Sequence, residues 1–286
     1  MSLNIRAFFD EPTFTVSYLI WDGATRAAAI IDPVLDYDPK AGRTSTRSAE
    51  AVLDAASKAA LKIEWILETH AHADHLSAGA WLRERTGAPI VIGEHIRQVQ
   101  KTFKALFNAS YQSVDGSDFD RLVRDSERLA LGNLSIEVIY TPGHTPACVS
   151  YHIEDAVFVG DTLFMPDYGT ARADFPGGDA HTLFRSIRRL LSLPPQTRLF
   201  MCHDYKAPGR DTYVWETTVA AERAQNIHVR DGITEEEFVR NRTARDRTLA
   251  MPVLIMPSVQ VNIRAGALPP PEANGTSYIK IPLNAV

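Results

Sequence analysis

Residues 68–75, Glu68-Thr69-His70-Ala71-His72-Ala73-Asp74-His75, place four metal-ligating side chains within six positions, and no other segment constrains the fold as much. Imidazole and carboxylate groups this close have no role in an apolar core, where polar groups without partners are costly to bury. In an extended loop alternate side chains point the same way. His70 and His72 can then meet one ion, while the chain turns and Asp74 and His75 face a second point nearby. Nitrogen and carboxylate donors together suit zinc, iron or manganese rather than calcium or magnesium, which prefer all-oxygen shells.

The cluster follows the apolar run at residues 63–67, so it is read as a loop at the end of a strand. Two more strands are expected at residues 13–22 and 26–34, separated by the hairpin signal Asp22-Gly23-Ala24-Thr25. A helix over residues 46–61, with Ser45 or Thr46 as its cap, precedes the cluster. A second helix follows it and stops at Gly87, and a buried strand comes at residues 89–94. Beyond a polar middle section the pattern recurs. A strand at 134–140 runs into His144, a hairpin at 148–161 ends at Asp161, and a strand at 197–202 ends at His203. Strand ends from both halves of the chain thus supply seven candidate ligands: His70, His72, Asp74, His75, His144, Asp161 and His203. Their number matches a two-ion site. The helix at residues 181–193 buries Leu183, Phe184, Ile187, Leu190 and Leu191 and leaves Arg185, Arg188 and Arg189 on a solvated face.

No repeat or Gly/Ser linker divides the 286 residues, which favours a single domain, 1–286, with residues 250–286 as a C-terminal extension that wraps it. A formal net charge of -5 gives no footing for phosphate-backbone binding, so nucleic acid is not an expected partner. The start of the chain lacks a signal peptide's basic and apolar regions, and no apolar run reaches the ~20 residues of a membrane helix, so a cytoplasmic location away from membranes is expected. Cys148 and Cys202 are read as buried reduced thiols, and His95, His152, His181 and His228, which have no ligand-type neighbours, as ordinary structural histidines.

The segments Thr-His-Ala-His-Ala-Asp-His (69–75), Thr-Pro-Gly-His-Thr-Pro (141–146), Val-Gly-Asp-Thr-Leu-Phe (159–164) and Cys-His-Asp-Tyr (202–205) resemble the metallo-β-lactamase fold superfamily. The resemblance covers roughly residues 18–205 and implies an α/β fold, an αββα sandwich of two mixed sheets flanked by helices. It further implies that His70, His72 and His144 serve one metal and Asp74, His75 and His203 another, with Asp161 bridging. Residues 160–178, Lys206 after the last histidine, and residues 257–275 look like the persulfide dioxygenases and their bacterial β-lactamase-like allies in sulfide detoxification. In that branch the resemblance implies one Fe(II) per chain, held by His70, His144 and Asp161, with His72, Asp74, His75 and His203 orienting water, ligands or substrate. Three protein ligands on one octahedral face leave room for a persulfide sulfur and dioxygen together.

The expected reaction is oxidation of glutathione persulfide, or a related low-molecular-weight persulfide, with O2 to sulfite and thiol. One rival is a glyoxalase II-like thioester hydrolase with Zn2+, one or two per chain. The other is a non-catalytic metal- or oxygen-sensing module. Arg172 and Asp174 belong to the branch's Arg-x-Asp-Phe motif, and they either brace the ligand loop or meet a substrate carboxylate. Tyr205, Lys206 and Arg210 are either grips for the carboxylates of a glutathione-like substrate or ordinary loop residues. A second copy of the chain, in a homodimer, and a separate sulfurtransferase are the further candidate partners.

Overall fold

A computed structural model describes residues 2–284. The first half of the chain holds β1 (Leu3–Asp10), β2 (Thr15–Asp22), β3 (Ala27–Ile31), β4 (Val34–Asp38), β5 (Arg43–Ser45), α1 (Arg47–Lys58), β6 (Lys62–Leu67), β7 (Leu76–Ser77), α2 (Gly79–Thr86), β8 (Ile90–Gly93), α3 (Ile96–Leu106) and β9 (Arg121–Val123). The second holds β10 (Arg128–Leu131), β11 (Leu134–Tyr140), β12 (Val149–Ile153), β13 (Ala156–Phe158), α4 (Ala180–Leu190), β14 (Arg198–Phe200), β15 (Glu216–Thr218), α5 (Val219–Gln225), α6 (Glu235–Asp246) and α7 (Ile255–Asn262).

Two six-stranded sheets result, in the orders β1-β2-β3-β6-β8-β9 and β10-β11-β12-β13-β14-β15. In the first, β1 to β3 are antiparallel and β3, β6, β8 and β9 run parallel. The second is antiparallel apart from its β13–β14 pair. Strand alternation sorts the side chains into layers. Val16, Tyr18 and Ile20 of β2 face the opposite sheet and join Tyr151, Phe158 and Phe200 in the central core. Leu19 and Trp21 point the other way, into the layer beneath α1, α2, α3 and α7. On the far side of the second sheet, Leu183, Ile187 and Leu190 of α4 meet Leu199, Met201 and Phe238. Helices therefore cover both outer faces, giving the expected αββα sandwich.

Several local features differ from the sequence reading. The polar middle section contains α3, whose Ile96, Val99 and Phe103 are buried at helical spacing. Thr46 is the N-cap of α1, but its hydroxyl donates to Glu50 Oε1 at 2.7 Å and does not accept from the helix backbone. Gly87 does end α2, in the left-handed region at φ 70°. Arg185, Arg188 and Arg189 are paired with Glu235, Asp231 and Asp125, so that face is an ion-pair seam to neighbouring loops more than a solvated stripe. The segment beyond residue 250 does more than wrap: Val259, Val261 and Ile263 enter the core and α7 contacts β7. Residues 285–286 of that extension lie outside the described residues. Among the described residues no helix is long and apolar enough to cross a membrane.

Candidate metal centre

The seven histidine and aspartate candidates converge where the two sheets end. His70 follows β6, His144 the loop after β11, Asp161 the turn after β13 and His203 the end of β14. Two glycines allow the approach. Gly143 sits at φ 133° with its Cα against the backbone of Leu183, where a Cβ would collide. Gly160 sits at φ 53°, and a Cβ there would come within 2.7 Å of Thr69 Oγ1.

Each ring is turned by what its Nδ1 touches. His144 Nδ1–H donates to Arg172 O at 2.8 Å, His75 Nδ1–H to Leu76 O at 3.1 Å, and His203 Nδ1–H to Phe14 O at 3.3 Å. His70 Nδ1 lies 3.0 Å from Thr69 Oγ1, whose own hydroxyl donates to Asp32 Oδ2 at 2.9 Å. That leaves Nε2 of these four rings directed at the centre, the tautomer such outer hydrogen bonds select in metal sites. His72 is reversed. Its Nε2 faces Asp32, 3.0 Å from Oδ1 but without hydrogen-bond geometry, and its Nδ1 also has no hydrogen-bond partner.

Asp161 is the hub. Its Oδ2 is 3.9 Å from His70 Nε2 and 3.7 Å from His144 Nε2, while Oδ1 is 3.3 Å from His203 Nε2. His203 Nε2 also lies 3.2 Å from Asp74 Oδ2. His70, His144 and Asp161 form one group of donor atoms, all within 4.8 Å of one another, and His72, Asp74 and His75 form another. Nε2 of His70, His75 and His203, both ring nitrogens of His72 and Oδ1 of Asp161 are buried without a hydrogen-bond partner. Orphaned acceptors at this density fit a cation in their midst.

The electrostatics agree. Burial, reinforced by the neighbouring imidazoles, holds His70 and His72 well below the ordinary histidine value, so both are neutral donors. Burial also opposes the charge of Asp74, yet His203, His75 and His72 outweigh it and lower that carboxyl. Asp161 is pushed up to about 8 by burial, against the pull of His144. A bound cation favours the carboxylate in each case.

Three residues that sequence reasoning passed over hold the site together. Asp32, just past β3, accepts from Thr69 N at 2.8 Å as well as from the Thr69 hydroxyl. Asn262, the last residue of α7, donates to His72 O at 2.8 Å and His75 O at 2.7 Å and accepts from Ser77 N at 2.7 Å. Phe14, at φ 56°, aims its carbonyl at both His203 and Asp204 N. A bulky residue in that region signals strain fixed by its surroundings. Of these, only Asp32 had a local signal, a carboxylate ending an otherwise apolar strand.

The remaining sequence candidates divide. Arg172 is bidentate with Asp174, at 2.5 and 2.8 Å, and its third nitrogen donates to Ala250 O at 2.8 Å, so its side chain braces the cavity wall. Tyr205 Oη donates to Asp74 Oδ2 at 3.4 Å. Arg210 is bound on both sides by Asp204 and Asp167, and Lys206 Nζ lies 4.1 Å from the centre of the Tyr213 ring. Arg210 therefore has a structural partnership with two loop carboxylates. Burial pushes the Cys148 thiol up to about 12, and burial followed by Asp32 raises Cys202 well above its ordinary value, so both are inert thiols. His95, His152, His181 and His228 each find a protein partner away from the cluster.

A cavity of about 580 Å³ opens onto His144, Asp161 and Asp74, whereas His72, His75 and His203 are sealed from solvent. Such a site can present an ion to a small substrate from one side.

Comparison with known proteins agrees with this geometry. A probable metallo-hydrolase of Burkholderia pseudomallei is 55% identical, covering 99% of this chain and 100% of that protein. Glyoxylase B2 of Dictyostelium discoideum is 50% identical over 98% of this chain and 97% of that protein. Bovine mitochondrial persulfide dioxygenase ETHE1 is 29% identical over 93% and 90% of the two chains. Among solved structures, ETHE1 from Myxococcus xanthus is 34% identical, superposes with a TM-score of 0.74, and covers 92% of this chain and 100% of its own. The profile of the metallo-beta-lactamase superfamily matches residues 10–203, and the chain belongs to that superfamily.

Proposed function

We propose that the protein is a metal-dependent dioxygenase that converts a low-molecular-weight persulfide, water and O2 to the free thiol and sulfite. The terminal sulfur loses four electrons and O2 accepts them. The observation that carries the reading is the donor group His70, His144 and Asp161, a two-histidine, one-carboxylate set whose atoms lie within 4.8 Å of one another and two of whose members, His144 and Asp161, line the cavity. An Fe(II) ion held there would supply open positions at which sulfur and dioxygen are brought together. The chain's own residues do the rest. Arg172 O fixes the His144 ring, and Thr69 and Asp32 fix His70, so the donors are held in place for the substrate. No protein nucleophile is needed. The likeness to the Myxococcus xanthus ETHE1 structure and, at 29% identity, to the bovine persulfide dioxygenase sequence supports this reading.

A thioester hydrolase is the second reading, favoured by the second donor group at His72, Asp74 and His75, by Asp161 reaching His203 as well as its own group, and by relatives named as a probable metallo-hydrolase and a glyoxylase. One experiment separates them. Protein purified without oxygen is analysed for metal, then offered glutathione persulfide and other small persulfides in an oxygen electrode, and S-lactoylglutathione in a parallel assay. Oxygen uptake with sulfite formation by the iron form is expected. Brisk thioester cleavage by the zinc form, with no oxygen uptake by the iron form, would replace the dioxygenase with the hydrolase.

A further inference from the structure

The cavity's walls say what kind of molecule it takes. Away from the metal donors they are formed by Phe14, Tyr37, Phe164 and Tyr168, with Leu249 and Val253 at the mouth. Val253 is 90% exposed and Leu249 38% exposed, so the entrance itself presents apolar surface to solvent. Three arginines line the cavity, and two are committed. Arg172 is held by Asp174 and Ala250 O, and Arg242 by Asp246 and Thr170 O. Arg245 is exposed and makes no ion pair among the described residues. Beyond Asp74 and Asp161 no carboxylate lines the cavity. The cations that follow His203 are engaged elsewhere, Arg210 by Asp204 and Asp167 and Lys206 by the Tyr213 ring.

A glutathione conjugate carries two carboxylates and an ammonium group. Apart from the metal donors this wall offers one uncommitted cation and no carboxylate to pair an ammonium, so a second carboxylate would be desolvated against the aromatic faces without a partner. We infer that the site takes a thiol derivative whose organic group is apolar and ends in a single anionic group, the chain lying against Phe14, Phe164 and Tyr168 and the anion meeting Arg245. The inference rests on the proposed reaction only for the sulfur end of the substrate. The preference for the organic group holds whether the sulfur is oxidised or a thioester is cut.

Calorimetric titration of the metal-loaded protein, without oxygen, tests it through binding alone. The probes are 6-mercaptohexanoate, 6-mercaptohexanol and glutathione. The expected order places 6-mercaptohexanoate about tenfold or more tighter than glutathione. Arg245→Gln is expected to weaken 6-mercaptohexanoate about fivefold and leave 6-mercaptohexanol unchanged, and Val253→Asp, at an exposed position that leaves the core intact, to weaken both. Glutathione binding as tightly as 6-mercaptohexanoate would overturn the inference, as would an equal effect of Arg245→Gln on the two mercaptans. A protein that ranks the thiols as expected yet consumes no oxygen would retain this pocket assignment and lose the dioxygenase. One that consumes oxygen with glutathione persulfide and ranks glutathione first would do the reverse.

Discussion

The ligand loop at residues 68–77 and the wall segment at residues 164–174 both face the cavity, but they are secured by different parts of the chain. The ligand loop is gripped by fully buried side chains: Asp32 on Thr69, Tyr151 Oη on Glu68 O at 2.9 Å, and Asn262 on three backbone groups. The wall hangs from α5, α6 and the residues after them. Asn226 donates to Gly169 O at 3.1 Å, Arg242 to Thr170 O at 3.2 Å, and Ala173 N donates to Asp246 at 3.0 Å. Arg172 ties the wall to residue 250. On the proposed function, the first region would govern metal retention and the second substrate fit, with Arg172 O on His144 as the joint between them.

The sharpest break in that comparison is Asp161→Ala, which removes the carboxylate that lies against His70, His144 and His203. Metal content by mass spectrometry should fall to about a tenth of wild type or less. Full retention would sink the assignment, whereas Asp74→Ala losing half the metal would establish two ions. Next in size is Asn262→Ala, which leaves His72 O, His75 O and Ser77 N buried without partners. A loss of roughly 3 kcal/mol in urea unfolding is expected, with weaker retention against a chelator. Lost stability with unchanged metal affinity would detach the loop anchor from the metal.

The wall is probed by pH. Glu222, whose Oε2 accepts from the same Asn226 amide at 2.6 Å, is pushed up to about 8, chiefly by burial. Its folded pKa exceeds its ordinary value of 4.5, so its contribution is complete below about pH 4.5 and is lost as pH rises through about 8. Glu222→Gln keeps the acceptor and removes the charge. The Tm of the variant should therefore gain on wild type between pH 5 and 8, by an amount equivalent to about 3 kcal/mol. Parallel Tm curves would show that Glu222 ionises freely. The smallest effect is expected from Arg172→Lys, which cannot reproduce the planar contact with Asp174. KM should rise about three- to fivefold with metal content unchanged, and metal loss would erase the distinction between the two regions.

The convergence of the seven candidate ligands was legible because they follow apolar, β-branched runs, and four of them share one loop. The layered fold followed from the same runs together with the family resemblance. What stayed hidden acts at long range or through mixed patterns. Asn262 reaches His75 across 187 positions, and nothing in the tail's sequence marks an amide as the partner of a histidine loop. The buried face of α3 is narrow, Ile96, Val99 and Phe103 interleaved with Arg97, Lys101 and Lys104, and so reads as polar. Asp204 and Arg210 are only six positions apart, but a basic residue after a ligand reads equally as a substrate grip or a brace until its partner is seen.

The hold of Asn262 on the ligand loop also sets an order of events during synthesis. Residues 70–75 emerge from the ribosome long before residue 262 exists, so the nascent chain carries its histidines without the geometry that α7 imposes on them. Faithful loading is thus a late act, deferred until the last helix docks, and a growing chain that meets an ion earlier does so with an unshaped peptide.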